Sequence, residues 1–131
     1  MIVGAEVQEA ALAVLIIEDN IYAADLNIRM LRKEGFEVCH QIAREEEEMT
    51  QNLTNRKWDV ILSDHSIPSF NALKALEVRN QLSPSTPFII VTEQMGERER
   101  NEAFNRGCSG FVAKEHLSDL GKIIKYTLWQ T

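Results

Sequence analysis

Five positions carry side chains suited to phosphoryl chemistry. Glu18 and Asp19 close the apolar run Val14-Leu15-Ile16-Ile17, and Asp64 closes Trp58-Asp59-Val60-Ile61-Leu62-Ser63. Thr92 follows Phe88-Ile89-Ile90-Val91, and Lys114 follows Phe111-Val112-Ala113. Carboxylates and water oxygens suit a hard cation such as Mg²⁺. A carboxylate can act as a nucleophile and form an aspartyl-phosphate. An ammonium and a hydroxyl can bind phosphoryl oxygens where charge gathers. Any one of these residues alone would read as a solvated loop side chain. An acid pair, an acid, a hydroxyl and an ammonium at successive strand tips form a set.

The elements that must position them are short apolar runs alternating with amphipathic stretches. Strands are expected at Ala13 to Ile17, from Phe36 to Ile42, at Asp59 to Ser63, at Phe88 to Val91 and at Phe111 to Ala113. The helices between them span about Asn20 to Glu34, a stretch opening on the acids Glu45 to Glu48, Phe70 to Leu82, Glu97 to Arg106, and Leu117 to Trp129. Gly35 and Gly107 supply C-terminal stops. In the first helix Ala23, Leu26 and Met30 share one face, with Leu31 beside them and Asn27 interrupting the stripe. Leu73, Leu76 and Val78 face inward from the third. The acids at Glu45 to Glu48 suit the N-terminal end of a helix dipole. Near-continuous apolar strands alternating with helices predict a parallel sheet covered on both faces. The expected fold is α/β, a flavodoxin-like doubly wound (βα)5 with strand order 2-1-3-4-5. Ligands in such sheets bind at the C-terminal strand edge, where all five positions fall.

A chain of 131 residues, 44% hydrophobic, suffices for one ordinary core. Residues 1–12 are expected to form an N-terminal extension and 13–131 the domain. The net charge of −6 opposes general nucleic-acid binding. No run reaches membrane-span length, and the N-terminus lacks a signal-peptide pattern. With no CxxC spacing, Cys39 and Cys108 are expected as free thiols in the cytoplasm. His65 is expected to be an exposed loop side chain. His40 and His116 show no ligand spacing. In the last helix Leu117, Leu120, Ile124 and Leu128 make the buried face, which leaves Ile123, Tyr126 and Trp129 for a partner surface or for extra packing.

Together the stretches Val14-Leu15-Ile16-Ile17-Glu18-Asp19-Asn20, Asp59-Val60-Ile61-Leu62-Ser63-Asp64, Ile67-Pro68, Phe88-Ile89-Ile90-Val91-Thr92 and Gly110-Phe111-Val112-Ala113-Lys114 resemble the receiver domains of two-component response regulators. The resemblance runs from about Ala13 to Leu128. It implies that Asp64 accepts a phosphoryl group from a histidine kinase phosphohistidine, and that Asp19, Asp64 and the Ser66 carbonyl bind Mg²⁺, with Glu18 holding it through water. It further implies that Lys114 pairs with Asp64 or the phosphoryl group, and that Thr92 and Phe111 form the switch. Its implied partners are a sensor histidine kinase or phosphotransfer protein and an output partner whose binding is switched through helix 4, strand 5 and helix 5, a face also open to a second copy. No direct nucleic-acid or membrane contact is expected, and no enzymatic turnover.

Three alternatives compete: an aspartyl-phosphate hydrolase of haloacid dehalogenase type, a receiver-like module that never takes phosphate, and a flavin-binding protein of the same fold. The hydrolase would need a second Asp where Ser66 stands. The complete acid, Thr and Lys set opposes the silent module, and the acidic Glu18-Asp19-Asn20 opposes an unassisted phosphate site for flavin.

The chain departs from the family pattern at four places. Glu115 stands where proline usually follows the lysine. A cis bond there would cost roughly 2.5–4 kcal/mol, so trans is expected. Phe111 stands where many relatives have tyrosine, Ala72 where glycine is frequent, and Glu93 where a small residue follows the switch hydroxyl. Ser66 and Gln94 flank the site and are placed to tune the phosphoryl lifetime. Replacing Glu93 with Ala is expected to change the rate of phosphorylation or of dephosphorylation, measured by time-resolved intact mass. Unchanged rates of both would contradict any role for Glu93.

Overall fold

The computed structural model describes residues 11–129. Five strands form one parallel sheet: β1 (Leu12–Ile17), β2 (Val38–Ala43), β3 (Val60–Asp64), β4 (Phe88–Thr92) and β5 (Gly110–Ala113). Their spatial order is β2-β1-β3-β4-β5, all neighbours parallel. Five α-helices connect and cover them: α1 (Ile21–Lys33), α2 (Glu46–Asn55), α3 (Ala72–Leu82), α4 (Glu97–Asn105) and α5 (Leu120–Leu128). This is the expected doubly wound flavodoxin-like fold. Most of the expected extension, residues 1–10, lies outside the described residues, and β1 begins at Leu12.

Period-two alternation divides the strands between two cores. Leu15, Ile17, Ile61, Phe88 and Ile90 pack with Met49, Leu53, Phe70, Leu76 and Ala103, which places α2, α3 and α4 on one face. Val14, Ile16, Leu62, Ile89 and Val91 pack with Ala24, Ile28, Leu31, Leu120 and Ile124, which places α1 and α5 on the other. The central strands are buried along their whole length because both faces are covered.

Local chemistry sets the helix ends. The Asn20 side chain accepts from the Tyr22 and Ala23 amides, and Asn71 accepts from Lys74, so both act as N-caps. Glu46, Glu47 and Glu48 occupy the first turn of α2, as the dipole argument requires. Gly35 and Gly107 follow α1 and α4 with φ of +104° and +105°, a backbone region costly for residues with a Cβ.

Three local expectations are corrected. The buried face of α1 is Ala24, Asn27, Ile28 and Leu31, not the stripe through Ala23, Leu26 and Met30. Leu26 is 45% exposed, and Asn27, expected to interrupt the stripe, is buried. The helix begins at Ile21, and its packing against β1 and β3 selects the apolar phase one residue later. The last helix does not run unbroken from Leu117: a 3-10 segment, Lys114–Asp119, precedes it, with a kink at His116. The described residues contain no cis peptide, so Lys114–Glu115 is trans. The chain then tightens into 3-10 geometry before α5, where Tyr126 and Trp129 are exposed as expected. The third correction concerns His65, described with the site.

The phase of α1 makes a stability test. Ile28→Ala should cost about 2–5 kcal/mol, as large-to-small core changes do. Leu26→Ala should cost under about 1 kcal/mol. Urea denaturation of the two variants measures the difference, and equal losses would contradict the assigned face.

Candidate phosphoacceptor site

Asp64 is the last residue of β3, and Glu18 follows β1 directly. The β1–β3 register pairs Ile17 with Ser63, so the two carboxyl-bearing residues come next on adjacent strands. Both are buried, at 4% and 2% exposed. Thr92 ends β4, one residue beyond Val91, the register partner of Asp64. Thr92 pairs in turn with Ala113, which precedes Lys114. Register alone therefore brings four of the five predicted tips to one edge of the sheet, and Asp19 stands beside Glu18, exposed.

The Asp64 carboxylate is almost fully partnered. Oδ1 accepts from the Ser66 amide at 2.9 Å and from Ser66 Oγ at 2.7 Å. Oδ2 accepts from Lys114 Nζ at 3.2 Å, and the same ammonium lies 3.7 Å from Glu18 Oε1. Glu18 also accepts from the Asn20 amide at 3.2 Å. Two buried carboxyls thus face one ammonium.

Their titration follows from that imbalance. Burial first, and then the hydrogen bond and charge of Asp64, push Glu18 up to about 7. For Asp64 burial alone would raise the pKa. The two Ser66 hydrogen bonds, the hydrogen bond from Glu18 and the Lys114 charge outweigh it and pull Asp64 down. Asp64 is therefore the more readily ionised of the pair. Burial opposes the Lys114 charge, but Asp64, Glu18 and Glu93 together raise its pKa. Glu93 is exposed, and its charge acts on Lys114.

The donor set fits a hard divalent cation. Two buried carboxyls face a single ammonium, and Mg²⁺ commonly uses one or two carboxylates and completes its shell with water. Among the described residues no three His, Cys, Asp or Glu side chains already converge as a metal cluster, and exposed Asp19 is the acid that does not join the buried pair. Thr92 is buried, and its hydroxyl donates to the Gln94 carbonyl at 3.3 Å. Phe111 is half-buried, with the Arg100 guanidinium carbon 4.7 Å from its ring centroid.

The response regulator receiver domain model matches residues 14–125. The chain belongs to the response regulator receiver domain family. It is similar to hybrid signal transduction histidine kinase G of Dictyostelium discoideum, at 27% identity over 86% of this chain and 3% of that protein. The receiver thus corresponds to a small part of that curated relative's length. Among solved structures, a CheY-like receiver domain protein from Methanospirillum hungatei JF-1 superposes with a TM-score of 0.79 at 26% identity, covering 92% of this chain and 95% of the other. The receiver domain of sensor histidine kinase PA1611 from Pseudomonas aeruginosa PAO1, with a magnesium ion in its active-site cleft, shares the fold at a TM-score of 0.75. It is 20% identical, and the match covers 91% of this chain and 98% of that one.

His65 departs from expectation. In this receiver its side chain is only 12% exposed, and Nε2 donates to Glu99 Oε2 at 3.0 Å, reaching α4. A turn residue beside a buried acid reads as solvated because nothing local reveals a partner 34 residues away. Glu99 was missed for the same reason. The Ser66 hydroxyl was placed near the site but not as a partner of Asp64; its two-residue spacing on a turn was the available signal.

The shared proton has a measurable consequence. Below about 4.5 Glu18 is protonated in both the folded and the unfolded chain; between that and about 7 only the native state keeps the proton. Stability from Glu18 is thus full at low pH and is lost as pH rises towards 7. Asp64 acts oppositely, and its contribution is lost only as pH falls below its ordinary range. Urea unfolding of metal-free protein across pH 4.5 to 7 should show Glu18→Gln gaining on wild type as pH rises. Parallel pH profiles would contradict the shared proton.

Proposed function

We propose that this receiver accepts a phosphoryl group on Asp64 from the phosphohistidine of a sensor kinase or phosphotransfer protein. The observation that carries the reading is the buried Asp64 carboxylate, held anionic and bonded to Lys114. A carboxylate oxygen forms the new P–O bond, the P–N bond breaks, and its electron pair leaves with the imidazole nitrogen, which gains a proton. Lys114 is placed to follow the charge from the carboxylate to the phosphoryl oxygens. The Ser66 hydrogen bonds fix the carboxylate and keep its pKa low. Thr92 would exchange its bond to the Gln94 carbonyl for one to the phosphoryl group.

Asp19, Asp64 and the Ser66 carbonyl would hold Mg²⁺, with Glu18 acting through water. The ion would neutralise charge on the transferring group. That the Pseudomonas receiver of the same fold holds magnesium in its active-site cleft supports Mg²⁺ as the ion. Phosphorylation would then shift a two-state equilibrium through Thr92 and Phe111, with α4, β5 and α5 as the output and homodimer face. The domain would work in the cytoplasm, without direct nucleic-acid or membrane contact. Among the described residues no helix is long and apolar enough to cross a membrane.

Turnover as a hydrolase is disfavoured. The residue two beyond Asp64 is a serine whose hydroxyl bonds the acceptor, leaving no general acid there.

Incubation with Mg²⁺ and acetyl phosphate, followed by intact mass, tests the proposal. One labile phosphoryl adduct is expected, absent in Asp64→Asn and weaker without Mg²⁺. No adduct from either a small donor or a kinase would overturn the reading. Continuous phosphate release from phosphomonoesters would favour the hydrolase.

A further inference from the structure

The first turn of α4 grips the site at two points. Glu99 Oε2 accepts from His65 Nε2, on the residue that follows Asp64. Arg100, the next residue, stacks its guanidinium on the Phe111 ring at 4.7 Å. One pair ties α4 to the acceptor loop, the other to β5.

The first contact holds a side chain with no other polar partner. The His65 ring is mostly buried, and its Nδ1 has no partner, so the bond to Glu99 is its one polar anchor. Glu99 is the third residue of α4, whose N-cap is Gly96. An acid in the first turn suits the positive end of the helix dipole. One carboxylate therefore sits at the start of the helix and fastens it to the loop after Asp64. The anionic form of Glu99 is favoured first by the His65 hydrogen bond, so its carboxylate is the acceptor.

Between this turn and the sheet lies Glu93-Gln94-Met95-Gly96. Met95 is buried among Ile67 and Phe70 of the acceptor-loop side, and Gln94 supplies the carbonyl that holds the Thr92 hydroxyl. Thr92 cannot turn to a group on Asp64 without releasing Gln94. That release must pass through a segment whose far end is held by Glu99 and Arg100.

We propose that Glu99 and Arg100 form a two-point latch, on His65 and Phe111, that holds the segment after Thr92 in its unphosphorylated position and slows its rearrangement. Both are positioning residues, since they act through Thr92 and Phe111. The latch rests on the phosphoacceptor reading for its effect on rate, but not for its effect on the resting structure.

The test has two arms on the full chain. In unmodified protein, hydrogen exchange of the amides from Glu93 to Arg100 should quicken in Glu99→Ala and Arg100→Ala, while Glu99→Gln, which keeps an acceptor for His65, stays near wild type. With acetyl phosphate and Mg²⁺, adduct formation should be about two- to fivefold faster in Glu99→Ala, the range expected of a half-exposed ion pair, and near wild type in Glu99→Gln. Unchanged exchange in both alanine variants, or Glu99→Gln behaving like Glu99→Ala, would overturn the latch. Faster exchange with unchanged adduct rates would overturn its hold on switching. If wild type forms no adduct, the phosphoacceptor reading fails, and the exchange arm still decides the latch.

Discussion

Two buried carboxyls sharing one ammonium set the character of this molecule. Glu18 and Asp64 are neighbours because β1 and β3 are neighbours, and they are buried because both strands are covered on both faces. Burying charge is costly unless it is paired. Lys114 reaches both acids, and the remaining imbalance pushes Glu18 up to about 7. The site is thus held short of positive charge. Under the proposed function, a divalent cation and a phosphoryl group would bring opposite charges to groups already arranged for each.

The sheet edge that creates this arrangement was legible because its signals are local. A buried strand reads as an apolar run, and the polar residue that ends it marks the tip. Asp64, Thr92 and Lys114 were each found this way, and the strand order followed from alternating elements. The glycines after α1 and α4 marked their stops through a backbone requirement at a single position. What escaped was set by packing. Two apolar phases competed in α1, and the correct one contained Asn27, a residue that ordinary hydropathy places outside. His65 and Glu99 share no local pattern, and only the docking of α4 beside the acceptor loop brings them together. The 3-10 segment after Lys114 belongs to the same class, since a trans bond to Glu115 predicts the peptide geometry but not the tight turn that follows.

These late-found contacts join the buried site to the surface. Lys114 is bonded to Asp64 and also feels the charge of the exposed Glu93, so charge outside the pocket acts on the partner of Asp64. Half-buried Phe111, on the edge strand β5, sits under Arg100, and Glu99 binds the residue beside Asp64. A change in charge at Asp64 therefore meets a network already attached to α4. Such small local changes are amplified where packed elements have two arrangements rather than a continuum.

The central claim is that burial and mutual charge push Glu18 up while Ser66 and Lys114 pull Asp64 down, so that Asp64 ionises first. Side-chain carboxyl NMR of the metal-free protein measures this directly. Glu18 should titrate at about 7, and its midpoint should fall in Asp64→Asn. A Glu18 midpoint near the ordinary 4.5 in wild type would contradict the account.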